Sequence, residues 1–305
     1  MLFRSAHNWA VGMFPEKAQE EYWSDSVDVL SSTSLDPSRA EVTSIKGGYQ
    51  LSGRWSFSSG CDASAWAILA GMGPGGLIWL LVHQSDYTIE DNWFVSGLKG
   101  TGSKDVLVHE VFVPEYRVVS VADLRRGQSP GRTIHKTLNF RIPLQTMFAY
   151  SLAAPIVGMA QGALEAFEEL MGSRVAYTTG EKMIENPLVH IRLSEAEAEV
   201  NSARLIMADD GSEVVAKAKI KETLSLMERA RVRRNQAYVA KLSVRAVDRL
   251  FEASGGHALF DSSPMQRFHR DAHAASHHFG LAWEGAAEEY GRIRLGLEPK
   301  NPARL

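Results

Sequence analysis

A short segment near the start of the chain, residues 53–61, combines side chains that suit the binding of a flat ligand. It reads Gly-Arg-Trp-Ser-Phe-Ser-Ser-Gly-Cys, with two aromatic residues and three serines. Because side chains alternate between the two faces of a strand, Trp55, Phe57 and Ser59 should share one face. This face would form an aromatic wall that ends in a hydroxyl, which suits a heterocyclic ligand. An ordinary half-buried strand with a Ser-Gly turn explains the same residues.

Histidines are concentrated in a second segment, residues 269–278. His269, His273 and His277 are four residues apart and would share one face of a helix. His278 follows directly. Such pairs occur in helical metal sites, but no Glu motif or second cysteine accompanies them, so we expect no bound metal. Surface or capping histidines are the alternative, while an imidazole with its pKa near ~6.5 could also serve as an acid or base.

The elements that would position these side chains follow from the apolar pattern. The middle of the chain contains short β-like runs, for example 66–70, 77–82 and 106–113. From about residue 140 onward, helical periodicity dominates in long segments. Strands in one block and helices in the others predict an α+β protein whose helices form a bundle.

Turn-forming residues mark the expected breaks between these elements. The cluster of Ser, Thr, Asp and Pro in residues 31–37 is typical of a loop. Gly172, Gly211 and Gly255 lie near the predicted ends of helices.

Composition excludes several classes of protein. The chain has 305 residues and a net charge of −3, so no basic surface indicates nucleic acid or an anionic membrane. Cys61 is the single cysteine, which rules out an internal disulfide and favours a reducing compartment. Residues 2–14 are too weak for a secretory signal, and no run looks long enough to span a bilayer. We therefore expect a soluble cytoplasmic protein.

Residues 47–60 resemble the flavin-side strand of the acyl-CoA dehydrogenase superfamily, and more narrowly of its flavin-dependent monooxygenase branch. Two further stretches agree with this resemblance: residues 97–103 with 111–114, and 255–257 followed by 267–271. Together they cover nearly the whole chain in the expected order. The resemblance implies a central β-barrel-like domain followed by a C-terminal four-helix bundle.

The resemblance also implies domain limits and an assembly. Residues 1–36 would be the remnant of a longer N-terminal helical domain, 37–125 the β-domain and 126–305 the helical bundle. Relatives place part of the flavin contact across a subunit interface, so a homo-oligomer is expected, and specifically a homotetramer.

The activity that the resemblance implies is that of the oxygenase component of a two-component flavin-dependent monooxygenase. Such a protein takes reduced FMN or FAD from a separate reductase, forms a C4a-hydroperoxide with O₂ and hydroxylates an aromatic or similar small organic substrate. No G-x-G-x-x-G sequence opens a helix after a strand, so binding of NAD(P)H by this chain is not expected.

Individual roles carry over from the resemblance onto matching positions. His278 matches the histidine that faces the flavin and the substrate, with His277 as the alternative, and His7 resembles a second pocket histidine. The hydroxyl of Ser59 or Ser58 would bond to flavin N5. The remaining residues expected to bind the flavin are those of the aromatic strand, the serine loop and the phosphate contacts, namely Trp55, Phe57, Ser31, Ser32, Arg141, Gly255, Gly256 and Arg267.

Two other function classes stay open. An acyl-CoA dehydrogenase needs a carboxylate base, often a Glu before a Gly, shortly after the Arg-Asp pair. Here Phe279-Gly280 stands at that place, and phenylalanine cannot abstract a proton. Glu284 precedes a glycine further on, and we interpret it as a surface residue. A flavin-fold protein without catalytic activity is the third class.

Overall fold

The computed structural model describes residues 2–177 and 179–302 of the chain. Within it the chain divides into two compact units. The first unit runs to Val95 and continues from Lys99 to Leu144, and the second contains Ser96–Leu98 and continues from Gln145. Residues up to 36 and from 126 to 144 therefore belong to the same unit as the strands.

The first unit begins with helices that pack on its strands. Its helices are α1 (Leu2–Val11), α2 (Glu16–Tyr22), α3 (Val121–Arg125) and α4 (Gly131–Ile134). The hydroxyl of Tyr22 donates to Asn8 Oδ1 at 2.8 Å, and the Gln19 amide donates to the carbonyl oxygens of Gly12 and Phe14. The Tyr22 hydrogen bond holds α2 against α1, the helix that carries His7, and the two Gln19 hydrogen bonds hold α2 against the connection between the helices.

The strands of the first unit form two four-stranded sheets in the part of the chain that the structure describes, with the orders β1-β4-β5-β8 and β2-β3-β7-β6. The strands are β1 (Ser31–Ser34), β2 (Ala40–Ile45), β3 (Gly48–Ser58), β4 (Trp66–Gly73), β5 (Gly76–His83), β6 (Thr88–Glu90), β7 (Lys104–Pro114) and β8 (Val118–Ser120). The three β-like runs are confirmed as β4, β5 and β7. In the described residues these are two separate sheets rather than one closed barrel.

Strand β1 replaces the loop expected at residues 31–37. It pairs in parallel with β4, with Ser31 opposite Trp66 and Ser34 opposite Leu69. Ser31 and Ser32 are fully buried. Hydroxyl-rich residues favour loops locally, but here pairing with a buried neighbour strand satisfies their backbone groups and overrides that preference.

A buried apolar cluster, formed mainly by β3, β4, β5 and β7, fills the core of the first unit. Leu51, Trp55, Leu80 and Val106 are each 0% exposed. The indole N–H of Trp55 donates to the carbonyl oxygen of Ala70 at 2.8 Å, which satisfies its one polar atom. Burying a large aromatic side chain typically stabilises a fold by about 1.5–3 kcal/mol, so Trp55 is a principal core residue.

The second unit is a helical bundle. Its helices are α5 (Leu144–Ser173), α6 (Pro187–Lys219), α7 (Leu226–Ser254), α8 (Pro264–Ser276) and α9 (Trp283–Arg294). Ser225 and Glu228 form a capping box at the start of α7, and hydrogen bonding to Lys217 helps to lower the pKa of Glu228 to about 2. Helix α6 continues through Gly211, so the helix end expected there is wrong, whereas those near Gly172 and Gly255 are confirmed.

Helix α5 corrects the expectation that no segment could span a bilayer. In the described residues, its span Thr146–Ser173 is long and apolar enough by length and composition alone, with a mean hydropathy of 1.3. The core helix of a globular protein meets the same criterion. Ala153, Ile156, Ala160 and Phe167 of α5 are each 0% exposed inside the bundle. We therefore interpret α5 as the core helix of this unit.

Candidate functional site

Hydroxyl groups of β1 and β3 meet in the first unit. The Ser58 hydroxyl donates to Ser32 Oγ at 3.0 Å, and both side chains are fully buried. The Ser34 hydroxyl donates to the carbonyl oxygen of Ser56 at 2.6 Å. The hydroxyl oxygen of Thr33 is also buried but has no hydrogen-bond partner in the described residues. The strands thus present a polar layer whose hydrogen-bonding capacity is not fully used within the chain.

Ser59 lies at the edge of this layer and is half-buried. Its hydroxyl is 2.6 Å from Ser103 Oγ, which in turn lies 2.7 Å from Thr101 Oγ1. Because Ser58 is fully enclosed, Ser59 is the better placed of the two candidate serines to meet a ligand. Sequence reasoning did not single out Thr101 or Ser103, although both lie in the segment 97–103 that supported the resemblance.

The alternation expected along residues 53–61 is broken by a β-bulge. The register between β3 and β7 shifts between Trp55 and Ser58, and Phe57 has a φ of 60°. A positive φ is rare for a bulky residue and marks a position that its surroundings must hold in place. Phe57 is 71% exposed, and its ring meets Trp93 edge to face with centroids 6.0 Å apart.

Trp55 therefore does not share an exposed face with Phe57, and that prediction is wrong. The bulge rotates Phe57 outward, while Trp55 stays in the core with its N–H bonded to Ala70. A fully buried indole cannot contribute to a ligand-binding wall. Trp93 takes the place of the second aromatic next to Phe57, which a strict alternation rule could not show.

His7 lies on α1 and is buried. Its Nδ1 is in short hydrogen-bond contact with the carbonyl oxygen of Ser31. Since a carbonyl can only accept, the proton must be on Nδ1, and neutral His7 carries its lone pair on Nε2. Burial lowers the pKa of His7, and the Ser31 hydrogen bond opposes this only partly. His7 is therefore a neutral hydrogen-bond acceptor at physiological pH.

His278 lies in the second unit, just after the end of α8. Its Nδ1 accepts the Gly280 N–H at 3.0 Å, so the neutral ring carries its proton on Nε2. Part of the residue is exposed, but burial of the rest and the positive charge of Arg233 lower its pKa. The free edge of neutral His278 is thus a hydrogen-bond donor. His277 has the opposite tautomer, because its Nδ1–H donates to the His273 carbonyl at 2.7 Å.

The segment that precedes β7 docks on α8 within the second unit. The Asp271 carboxylate accepts the Leu98 N–H at 2.7 Å. A β-carbon on Gly97 would lie 2.3 Å from the carbonyl oxygen of Arg270, so a larger residue could not approach so closely. Gly97 and Leu98, at the start of one stretch of the resemblance, therefore contact Arg270 and Asp271 at the end of another, within the second unit.

The expected phosphate contacts fall in different units. Gly255, Gly256 and Arg267 lie around the connection from α7 to α8, whereas Arg141 ends a 3₁₀ turn in the first unit. Gly255 has φ 62° and ψ −164°, a conformation that is essentially restricted to glycine, and it caps α7. Arg267 is exposed and lines a shallow pocket with Asp261 and serines 262 and 263. Phosphate binding by the two glycines, Arg267 and Arg141 stays a prediction.

A carboxylate joins two of the histidines of α8. Asp248 Oδ1 on α7 is 2.7 Å from His273 Nε2 and 3.3 Å from His269 Nε2. The spacing of four residues indeed brings the two rings together, with centroids 4.5 Å apart. Sequence reasoning missed Asp248, because only the packing of α7 on α8 brings it there.

Comparison with known proteins agrees with this architecture. A family model described as the C-terminal domain of acyl-CoA dehydrogenase matches residues 150–283. The crystal structure of 3-HSA hydroxylase from Rhodococcus sp. RHA1 superposes with a TM-score of 0.93 at 35% identity, covering 99% of this chain and 79% of that chain.

Two curated relatives match over most of their length. The oxygenase subunit HsaA of a flavin-dependent monooxygenase from Rhodococcus jostii (strain RHA1) is 37% identical, covering 95% of this chain and 78% of that protein. The oxygenase component of an FADH(2)-dependent resorcinol hydroxylase from Rhizobium sp. (strain MTP-10005) is also 37% identical, covering 97% and 76%. This chain therefore belongs to the oxygenase components of flavin-dependent monooxygenases, within the acyl-CoA dehydrogenase superfamily.

Proposed function

We propose that this enzyme hydroxylates a phenolic substrate, using O₂ and a reduced flavin delivered by a separate reductase. His7 is the observation that carries the substrate class. Its proton is held on Nδ1 by the Ser31 carbonyl, and its lowered pKa keeps Nε2 as an acceptor. Such a nitrogen accepts the proton of a phenolic hydroxyl and so increases the electron density of the ring. The name of the resorcinol hydroxylase supports this substrate class, because resorcinol is a phenol.

The residues of the first unit fit a flavin. Ser59 offers a half-buried hydroxyl, and Phe57, two residues before it, offers an exposed ring. Thr33 on β1 offers a buried oxygen that has no hydrogen-bond partner in the described residues. We assign Ser59 and Phe57 to the flavin ring, with Ser31, Ser32 and Ser58 as the buried layer that supports them. When bound, the reduced flavin activates O₂ for transfer of one oxygen atom. We propose FADH₂ as the preferred form, following the name of the resorcinol hydroxylase.

We assign a different task to His278. Its Nε2–H is a donor, because Gly280 occupies Nδ1. A donor stabilises negative charge on oxygen, whether on a deprotonated substrate or on the oxygen being transferred. His278 would therefore hydrogen-bond to oxygen rather than remove a proton. His277 has its acceptor on Nε2 and would therefore be able to remove a proton.

The carboxylates of the bundle do not favour the dehydrogenase alternative. Glu284 is exposed, in line with its interpretation as a surface residue, and Phe279 is also exposed. On α5, Glu165, Glu168 and Glu169 are also exposed. A base that removes a carbon-bound proton needs a position sheltered from water, and these exposed residues do not offer one.

The function is tested by supplying the pure protein with FADH₂, resorcinol as the probe phenol and ¹⁸O₂. We expect one labelled oxygen atom in the product, and no turnover with NADH alone until a flavin reductase and FAD are added. Bleaching of oxidised flavin by an acyl-CoA without O₂ would instead establish a dehydrogenase. Reductase-free oxidation of NADH coupled to product would contradict the two-component arrangement. We expect the enzyme and its flavin reductase in the cytoplasm, where the thiol of Cys61 stays reduced.

We further propose that the enzyme is a homotetramer. Leu188, Ile191 and Leu205 of α6 are large apolar side chains exposed to solvent, and exposed apolar surface can form the interface with a second chain. A second copy of the chain is the partner that the resemblance implies.

Light scattering during size-exclusion chromatography tests the assembly. We expect four chains per particle for the parent and a smaller particle for the double variant Leu188→Glu/Leu205→Glu, because buried charges oppose association. Val27→Glu, at an exposed apolar residue of a loop, is the control and should stay tetrameric. A monomeric parent would contradict the proposal.

A further inference from the structure

We propose that Asp248, His269 and His273 bind a divalent metal ion, with Zn²⁺ preferred, and that this ion ties α8 to α7. The expectation of no metal rested on the absence of a Glu motif or a second cysteine to accompany the histidines. Asp248 supplies a third ligand from the neighbouring helix. Nothing in the proposed oxygenase chemistry uses these three side chains.

The geometry suits a small tetrahedral ion. One ligand atom from each residue lies within 4.8 Å of the other two. The carboxylate oxygen is 2.7 Å from His273 Nε2 and 3.3 Å from His269 Nε2. Ligands about 2.0–2.1 Å from a tetrahedral zinc ion lie roughly 3.3–3.5 Å apart. Small rotations of the side chains would reach that spacing without a change in the helices.

The chemistry and surroundings of the donors agree with this assignment. Two imidazole nitrogens and one carboxylate oxygen form a ligand set that zinc accepts, with water as the fourth ligand. The side chains are 32%, 39% and 37% exposed for His269, His273 and Asp248, so the ion and its water can enter. Phe251 stacks on the His269 ring with centroids 4.2 Å apart, which limits its rotation.

The position of the site indicates a structural role. His273 lies in the last turn of α8, and its carbonyl oxygen accepts the Nδ1–H of His277. An ion that fixes His273 to α7 would therefore fix the end of α8. A metal ion that binds the folded chain but not the unfolded chain raises the melting temperature of the protein.

The test uses the full chain after chelation and dialysis, titrated with ZnCl₂ in a calorimeter. We expect one ion per chain and a rise in melting temperature with zinc. We expect two variants to weaken zinc binding: His273→Ala and Asp248→Asn, of which the second keeps the shape of the side chain. Each should lower the affinity by more than the roughly 10–100-fold that is typical of a residue contacting a metal ligand but not the metal itself. The exposed His190 on α6 gives the matched control, since His190→Ala should bind zinc like the parent.

Cobalt provides a readout that needs no variant. Co²⁺ bound by two nitrogens and an oxygen in a four-coordinate site should give strong visible absorption, and zinc should abolish it. The proposal is wrong if the parent binds no stoichiometric zinc and leaves the cobalt spectrum unchanged. It is also wrong if His190→Ala weakens binding as much as Asp248→Asn. In either case Asp248 would be only a hydrogen-bond acceptor shared by two histidines.

Discussion

Replacing His278 with alanine is expected to lower the rate of product formation by about 10²–10⁴-fold while flavin binding is retained. The Nε2–H of His278 is fixed as a donor by Gly280, so its loss removes a hydrogen bond to oxygen rather than a contact with the cofactor. Oxygen should still be consumed, but most of it should be released as hydrogen peroxide. The measurement is the ratio of hydroxylated product to O₂ consumed.

A second substitution separates a donor from a base at this position. Glutamine places an N–H near the site of the imidazole Nε2–H but cannot take up a proton. His278→Gln should therefore recover a clear part of the product yield that His278→Ala loses. His190→Ala is the control and should match the parent. If glutamine and alanine are equally uncoupled, the donor assignment fails, and if both match the parent, His278 has no role in oxygen transfer.

The sequence predicts the elements of this fold better than their edges. The runs at 66–70 and 77–82 become β4 and β5 because continuous apolar residues must be buried on both faces of a packed strand. The run at 106–113 becomes β7, in which His109 and Glu110 interrupt the apolar residues and are exposed. Helix α6 continues through Gly211. A glycine destabilises a helix by about 1 kcal/mol relative to alanine, and the packing of α6 on α7 outweighs this cost. Residues 31–34 form a strand because pairing with β4 outweighs their local preference for a loop.

The candidate site is harder to predict because its geometry depends on contacts between distant residues. The spacing of His269 and His273 correctly places them together on α8, a purely local consequence of helical geometry. Asp248 joins them only through helix packing. The outward turn of Phe57 depends on a bulge against β7, and periodicity in one strand carries no information about its partner's register. The tautomers of His7 and His278 likewise depend on backbone groups of other residues.

Replacing His7 is expected to have the second large effect. His7→Asn should lower the rate of phenol hydroxylation by about 10²–10⁴-fold, because it lacks the Nε2 acceptor. Asparagine can still donate to the Ser31 carbonyl, so the variant should keep the melting temperature of the parent more closely than His7→Ala. If His7 had only a structural role, His7→Asn would instead hydroxylate the phenol at the rate of the parent. His109→Ala, at an exposed histidine on β7, is the control.

The pH dependence of the parent tests the same assignment, because burial lowers the pKa of His7 from its ordinary value of 6.5. The neutral acceptor then persists in the folded enzyme below pH 6.5, and the acid limb of kcat/KM should lie below that value. Below pH 6.5 the unfolded chain binds a proton that folded His7 does not, so this contribution to stability is present above pH 6.5 and lost as the pH falls. One proton limits the slope to about 1.4 kcal/mol per pH unit. Denaturant unfolding of the parent and His7→Asn at several pH values should show this difference, and equal slopes for the two proteins would contradict a neutral, buried His7.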